Sequence, residues 1–241
     1  MKLRLDELLL LNKLVQDMDN ARALIGAGEV FVNERRIDKA GFLCNVNDIL
    51  RLKEHCPYVS RGGLKLEKGL QHFNIDTYGK VCMDVGASTG GFTDCLLKHG
   101  ARKIYAIDVA YGQLDWKLRQ NPAVEVMERC NFRLIKPEVL SELIDFAVMD
   151  ASFISITKLI PPLIPLFRAR FSLLALVKPQ FELPRHKVAK GGVVVDAALH
   201  AEAIRGVTDF ALSLGLLSQG TVLSPLLGAK GNKEFLIHLV A

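Results

Sequence analysis

From Val81 onward short apolar runs alternate with helix-length spans, and no other feature of the chain limits its fold as tightly. The runs are Val81–Val85, Lys103–Asp108, Val124–Met127, Asp145–Asp150 and Leu173–Val177, too short for helices and rich in strand-forming residues. Two further strands, near Thr221–Leu223 and Glu234–Val240, close the chain. Such alternation predicts an α/β architecture in which helices cover both faces of a mostly parallel sheet. Ligands then bind beyond the carboxyl ends of the strands. Asp84, Asp108 and Asp150 stand at those ends.

Residues before about 57 read differently. Leu5, Leu8, Leu9, Leu11 and Leu14 mark one helix, and Ala21, Leu24 and Ile25 mark a second, with Asp19 or Asn20 as its cap and Gly26 and Gly28 as its stop. Val30–Ile37 reads as strand, turn and strand, and Asp48–Leu52 as another strand. The proline-containing connection His55-Cys56-Pro57-Tyr58 divides a small α+β module, residues 1–56, from the remainder, 57–241. The run from Ala21 to Asn33, a helix delivering a glycine turn into a strand, resembles the RNA-binding module named after ribosomal protein S-four. That resemblance implies Arg22, Arg35, Arg36 and Lys39 as contacts to phosphate, which add affinity without reading bases.

Several classes are excluded early. The longest uncharged window, Phe210–Ala229, has the length of a membrane span but is broken by Gly215, Gly220, Pro225 and Gly228. Asp6 and Glu7 fall where a signal peptide needs apolar residues. The five cysteines are widely spaced and lack a Cys-x-x-Cys pair, so neither a disulfide framework nor a zinc site is expected. A cytoplasmic protein is the expectation.

The loop Asp84-Val85-Gly86-Ala87-Ser88-Thr89-Gly90-Gly91-Phe92-Thr93-Asp94 follows the first strand of the larger part and opens a helix. Glycines let backbone approach a ligand, and a helix N-terminus offers free N–H groups. Three readings compete. A dinucleotide fingerprint wants glycine where Ser88 stands, although Asp108 is placed to bind a ribose. Gly86-Ala87-Ser88-Thr89-Gly90 also fits the Gly-x-Ser-x-Gly elbow of hydrolases, which would need a late histidine. The third reading is S-adenosylmethionine: Asp84 would repel a pyrophosphate but suits an ammonium and a sulfonium.

Three other segments bring unusual charge to the same sheet edge. Lys65 opens a helix with an apolar stripe at Leu66, Leu70 and Phe73; Lys178 ends the apolar run of the fifth strand; Glu234 begins the last strand after a glycine-containing loop. Taken singly, each is a solvated strand end or a helix cap. Taken together, Lys65, Asp150, Lys178 and Glu234 suit deprotonation of a weakly acidic hydroxyl, because a free lysine is a better base when a second cation and partial burial oppose its charge.

The motifs Ser60-Arg61-Gly62-Gly63, Asp84 to Asp94, Tyr111-Gly112-Gln113-Leu114, Glu128-Arg129-Cys130-Asn131, Asp150 to Ser155, Val177 to Glu182 and Gly231 to Leu236 resemble, in that order, those of the bacterial haemolysin A (TlyA) family. The resemblance spans nearly the whole chain. It implies an S-four module on an FtsJ-like domain, a Rossmann-like class I methyltransferase with a mostly parallel seven-stranded sheet, using S-adenosyl-L-methionine and no metal. The implied acceptors are ribose 2′-hydroxyls of ribosomal RNA, with cytidine in ribosomal subunits expected. The family's Lys-Asp-Lys-Glu tetrad falls on Lys65, Asp150, Lys178 and Glu234. Asp84, Gly86, Ser88 and Gly90 would line the methionine part of the donor, Asp108 its ribose and Asn131 its adenine. The rivals are a membrane-active haemolysin, for which no inserting stretch is found, and a catalytically inactive RNA binder.

Charge refines the RNA surface. The formal +5 lies wholly beyond residue 59: residues 1–59 hold nine basic and nine acidic side chains, and residues 60–241 hold 22 against 17. Lys98, Arg102, Lys103, Arg185, Lys187 and Lys190 are therefore candidates for RNA contact on the larger domain.

Overall fold

The computed structural model describes residues 2–53 and 56–241. Contacts divide the chain into two compact units, Met1–His55 and Cys56–Ala241. The connection read at Lys53–Cys56 falls partly on Glu54 and His55, outside the described residues.

The first unit contains β1 (Lys2–Arg4), α1 (Leu5–Leu11), α2 (Met18–Gly26), β2 (Val30–Val32), β3 (Arg35–Ile37), β4 (Leu43–Asn45) and β5 (Leu50–Leu52). β2 is the centre of a three-stranded sheet with β3 and β5, and β1 pairs antiparallel with β4. Leu5, Leu8, Leu9, Ala21, Ile25 and Val30 form its core. Two expectations shift here. The first helix stops at Leu11, where Lys13 takes φ 57°, so Leu11 and Leu14 stay partly exposed. The second helix starts at Met18, earlier than expected, and Asp17 caps it by accepting from the N–H of Asn20 at 2.7 Å.

The second unit runs α3 (Gly62–His72), β6 (Val81–Val85), α4 (Gly91–Lys98), β7 (Lys103–Ile107), α5 (Trp116–Arg119), β8 (Val124–Met127), β9 (Phe146–Met149), α6 (Ile160–Leu163), β10 (Ser172–Val177), α7 (Pro179–Glu182), α8 (Ala197–Ser213), β11 (Leu217–Leu223) and β12 (Phe235–Val240). Its seven-stranded sheet has the order β11-β12-β10-β9-β6-β7-β8. Strands β6 to β10 are mutually parallel, and β12 lies antiparallel between β10 and β11. The uncharged Phe210–Ala229 window is the end of α8, β11 and a loop, and among the described residues no helix is long and apolar enough to cross a membrane.

Both faces of the central strands are buried, which explains their apolar runs, interrupted in β6 by Asp84. One core carries Met83, Tyr105, Met149 and Val177 against α6 and α8, and the other carries Cys82, Phe146, Leu174 and Leu176 against α3 and α4. Leu66 and Leu70 dock α3, with Phe73 half-buried beyond its end. Replacing fully buried Leu66 by Ala should cost about 2–5 kcal/mol, through lost transfer energy and a residual cavity. Urea unfolding followed by circular dichroism measures this, and a loss well under 1 kcal/mol would show that α3 is not anchored at that residue.

Candidate active site

β6 delivers the glycine loop and β9 the residues that face it. Gly86 has φ +88°, and a Cβ there would approach the carbonyl oxygen of Asp150 to 2.8 Å, so only glycine lets the two strand ends converge this closely. The loop is pinned from the side by Asp108, just beyond β7, whose carboxylate accepts from the N–H groups of Ser88 and Ala110, both at 2.8 Å.

Gly86, Ser88, Asp108 and Asn131 line a cavity of about 560 Å³ beyond the ends of β6, β7 and β8, together with Phe132 and Phe153. Asn131 also caps the following short helical turn by accepting from the N–H of Arg133 at 3.3 Å. Ser88 Oγ donates to Gln113 at 3.3 Å, an amide oxygen and not the basic nitrogen a hydrolytic nucleophile requires.

Asp84 and Gly90 are placed elsewhere. Gly90 precedes α4 and sits against Leu114 and Leu118. Asp84, inside β6, is fully buried behind the loop; Thr93 Oγ1 donates to it at 2.6 Å, and its other oxygen has no partner among the described residues. Neither residue lines the cavity, so any influence of Asp84 on a ligand there passes through the loop. Burial raises its pKa from 3.8 to about 7 against the pull of the Thr93 hydrogen bond, with help from the charges of Asp150 and Asp108.

A second cavity, about 420 Å³, adjoins the first and shares Gly86, Ser88, Asp150 and Ser152 with it. Here the structure joins the four charged residues as two pairs. Lys178 Nζ lies 2.5 Å from Asp150 Oδ1 and donates to Ser152 Oγ at 2.8 Å. Lys65 Nζ donates to Glu234 Oε2 at 2.6 Å, across 169 residues of sequence. Lys65, Lys178 and Asp150 line the cavity, as does Arg61, while Glu234 is buried behind Lys65. Gly228 lies so close to the Glu234 carboxylate that a side chain there would displace it. Ser152 is the member that sequence reasoning missed; its only signal was its place two residues after Asp150.

The cations proposed for RNA contact separate. Arg185, Lys187 and Lys190 are exposed on the segment after α7, and this segment is tied to the Glu234 loop by Asn232, which accepts from the N–H of Val194 and donates to the carbonyl of Gly192, both at 2.9 Å. Lys187 also pairs with Glu202 at 2.6 Å. Lys98, Arg102 and Lys103 lie instead at the amino edge of the sheet, at the end of α4 and the start of β7, and are paired with Asp94, Glu142 and Glu125. They therefore stand at the opposite edge of the sheet from the two cavities. In the first unit, Arg22 reaches the buried carboxylate of Asp6 at 3.4 Å, and Arg35, Arg36 and Lys39 are exposed.

Residues 58–241 match the model of the FtsJ-like methyltransferases. The chain belongs to this family. Over 240 residues it is 45% identical to YqxC of Bacillus subtilis (strain 168), a protein named provisionally as an rRNA methyltransferase, with 99% of this chain and 85% of that one covered. It is 40% identical to the 16S/23S rRNA (cytidine-2′-O)-methyltransferase TlyA of Mycobacterium tuberculosis (strain ATCC 25618 / H37Rv) over 98% of this chain and 89% of the relative. A solved structure from Streptococcus thermophilus, described as a candidate hemolysin, superposes with TM-score 0.77 at 42% identity, covering 99% of this FtsJ-like chain and 88% of the other.

The placement of Asp84 has a measurable consequence. A carboxyl whose pKa rises on folding contributes its stability fully below the unfolded value, near 4, and loses it as pH rises through about 7. Between pH 4.5 and 8 the stability of Asp84→Asn should gain on wild type by on the order of a few kcal/mol. Urea midpoints at the two pH values test this, and a difference independent of pH would refute it.

Proposed function

We propose that the protein is an S-adenosylmethionine-dependent 2′-O-methyltransferase that modifies cytidine ribose in ribosomal RNA. The observation that carries this reading is the pair of lysine–carboxylate contacts at the junction of two cavities that share a wall. A donor in the larger cavity and a ribose in the smaller would meet at Asp150 and Ser152. The larger cavity has the size of a small-molecule site, with a few polar groups set among apolar ones, and lies at the strand ends where such ligands bind in this architecture. Gly86 allows close backbone approach there, Asp108 and Asn131 offer polar contacts, and the Ser88 turn closes one side.

When bound, the donor supplies an electrophilic methyl group. The protein's task is to make a ribose hydroxyl nucleophilic and hold it in line. Lys178 Nζ accepts the hydroxyl proton. Asp150 and Ser152 take two of the directions around that nitrogen, leaving the remainder for the acceptor. Lys65, steadied by Glu234, faces the same cavity as a cation that stabilises the developing alkoxide.

RNA would be held on its phosphates by Arg185, Lys187 and Lys190 at the catalytic end, and by Arg22, Arg35, Arg36 and Lys39 on the first unit, read as an S-four module spanning residues 1–56 beside the catalytic domain, 57–241. Such contacts are sequence-independent and weaken with salt. Ribosomal RNA as the acceptor puts the working protein in the cytoplasm, with ribosomal RNA or a ribosomal subunit as its partner.

Incubation with radiolabelled S-adenosylmethionine and either ribosomal subunits or bare ribosomal RNA should place label on RNA, and mapping should place it on cytidine riboses. Lys178→Ala should reduce transfer by about 10²–10⁴-fold while donor binding, read by calorimetry, stays within about twofold. Undiminished transfer by that variant would remove Lys178 from its role, and wild-type protein that labels no RNA would favour a binder without catalysis.

A further inference from the structure

Asp150 and Ser152 do not sit on a strand. Asp150 is still bonded to the end of β6, its N–H donating to the carbonyl of Val85 at 3.1 Å, but the segment after it, Ala151–Ser155, has no regular hydrogen bonding, and Phe153 within it adopts φ 65°, a strained value for a bulky residue. A free loop of this kind would wander by more than proton transfer tolerates, since a misplacement of about 1 Å can cost on the order of 10²-fold in rate. Something must hold it against Lys178.

Beyond the backbone bond of Asp150 to Val85, side chains supply two ties, at opposite ends of the loop. One is the contact of Lys178 with Asp150 and Ser152. The other is Glu182, one helical turn after Lys178 at the end of α7. Its carboxylate accepts from Ser155 Oγ at 2.5 Å and from the N–H of Ile156 at 3.0 Å. Between the ties the rings of Phe153 and Phe181 approach to 5.4 Å between centroids. The two segments leaving β9 and β10 are thus joined at both ends and in the middle.

We infer that Glu182 is a positioning residue for methyl transfer, holding the Asp150–Ser152 segment in register with Lys178. This rests on the reading of Lys178 as the proton acceptor. The choice of side chain supports it. Glu182 is half-buried, its partners are a hydroxyl and an amide in place of a cation, and burial raises its pKa despite both hydrogen bonds. A half-buried carboxylate without a counter-charge is a costly way to fill space, but it accepts two hydrogen bonds at once, and bonds to an ionised acceptor are the stronger kind. Glu182 itself lines neither cavity, so its effect reaches the reaction through the loop.

The test compares Glu182→Ala, Glu182→Gln and Ser155→Ala with wild type in methyl transfer to ribosomal RNA, with thermal melts in parallel. Glu182→Ala should lower kcat by about 10- to 100-fold with the KM for RNA within about twofold. Glu182→Gln should recover most of the loss, because its amide oxygen still accepts from Ile156 and its NH₂ can donate to Ser155. Ser155→Ala, which removes the bond to Glu182 together with the hydroxyl's contacts to the side chain and N–H of Thr157 but leaves α7 intact, should lower kcat several-fold and serves if Glu182→Ala does not fold. An unchanged kcat in folded Glu182→Ala or Ser155→Ala would overturn the inference alone, as would a Glu182→Gln variant no better than Glu182→Ala. A wild-type protein silent on RNA would overturn the functional reading and this inference with it.

Discussion

The contact between Lys178 and Asp150 bridges the carboxyl ends of two neighbouring parallel strands, and much of the second unit exists to permit it. Neither charge is affordable alone at this depth: an unpaired ammonium at the end of an apolar strand would forfeit several kcal/mol of hydration. In the pairing of β9 with β10, Ala175 stands opposite Met149, so Lys178 leaves its strand two residues beyond the level of Asp150 and its long side chain reaches back to the carboxylate. The unbroken apolar sequence of both strands places them inside the sheet by demanding burial on both faces.

The second pair obeys the same physics by a longer route. Lys65 rides on α3, held to the sheet by Leu66 and Leu70, and Glu234 enters from the antiparallel strand β12 beside β10. Their meeting requires the helix, the sheet order and the turn at Gly228 to be right together. A local error in any of them would leave a buried carboxylate facing a cation that had moved. The site is therefore a test of the whole fold, in the sense that its charges are satisfied only when every layer is in place.

What could be read from the residues follows from the range of the forces involved. The strands β6 to β10 and the placement of Asp108 and Asp150 were legible because burial imposes a local apolar pattern that stops where the strand stops. The four charged residues were legible as a set for the same reason. Their division into two pairs was not, because it depends on contacts as distant as Lys65 to Glu234. Asp84 was expected at the ligand and lies behind the loop: it falls inside β6, every residue of which is buried, whichever face it points to. The β1–β4 ribbon went unseen because Lys2–Arg4 and Leu43–Asn45 carry no run of strand-forming residues, and the roles of Ser152 and Glu182 because a hydroxyl or carboxylate near a turn has many ordinary uses.

Charge counting is blind to distance in a similar way, and the placement of the cations sharpens the functional reading. A sum over residues locates the excess of basic side chains in the second unit but is blind to which end of the sheet each occupies. In the structure, Lys98, Arg102 and Lys103 neutralise carboxylates at the amino edge, whereas Arg61, Lys65 and Lys178 meet at the opposite end, on the side to which Asn232 ties the segment of Arg185, Lys187 and Lys190. At the amino edge these cations are partly exposed and each has a carboxylate within 3.0 Å, so they add little to the field at a distance. The field that a polyanion meets is shaped instead by cations grouped around the cavity that would receive its ribose. A modest net charge is then enough, because attraction and chemistry are concentrated at the same end of one sheet.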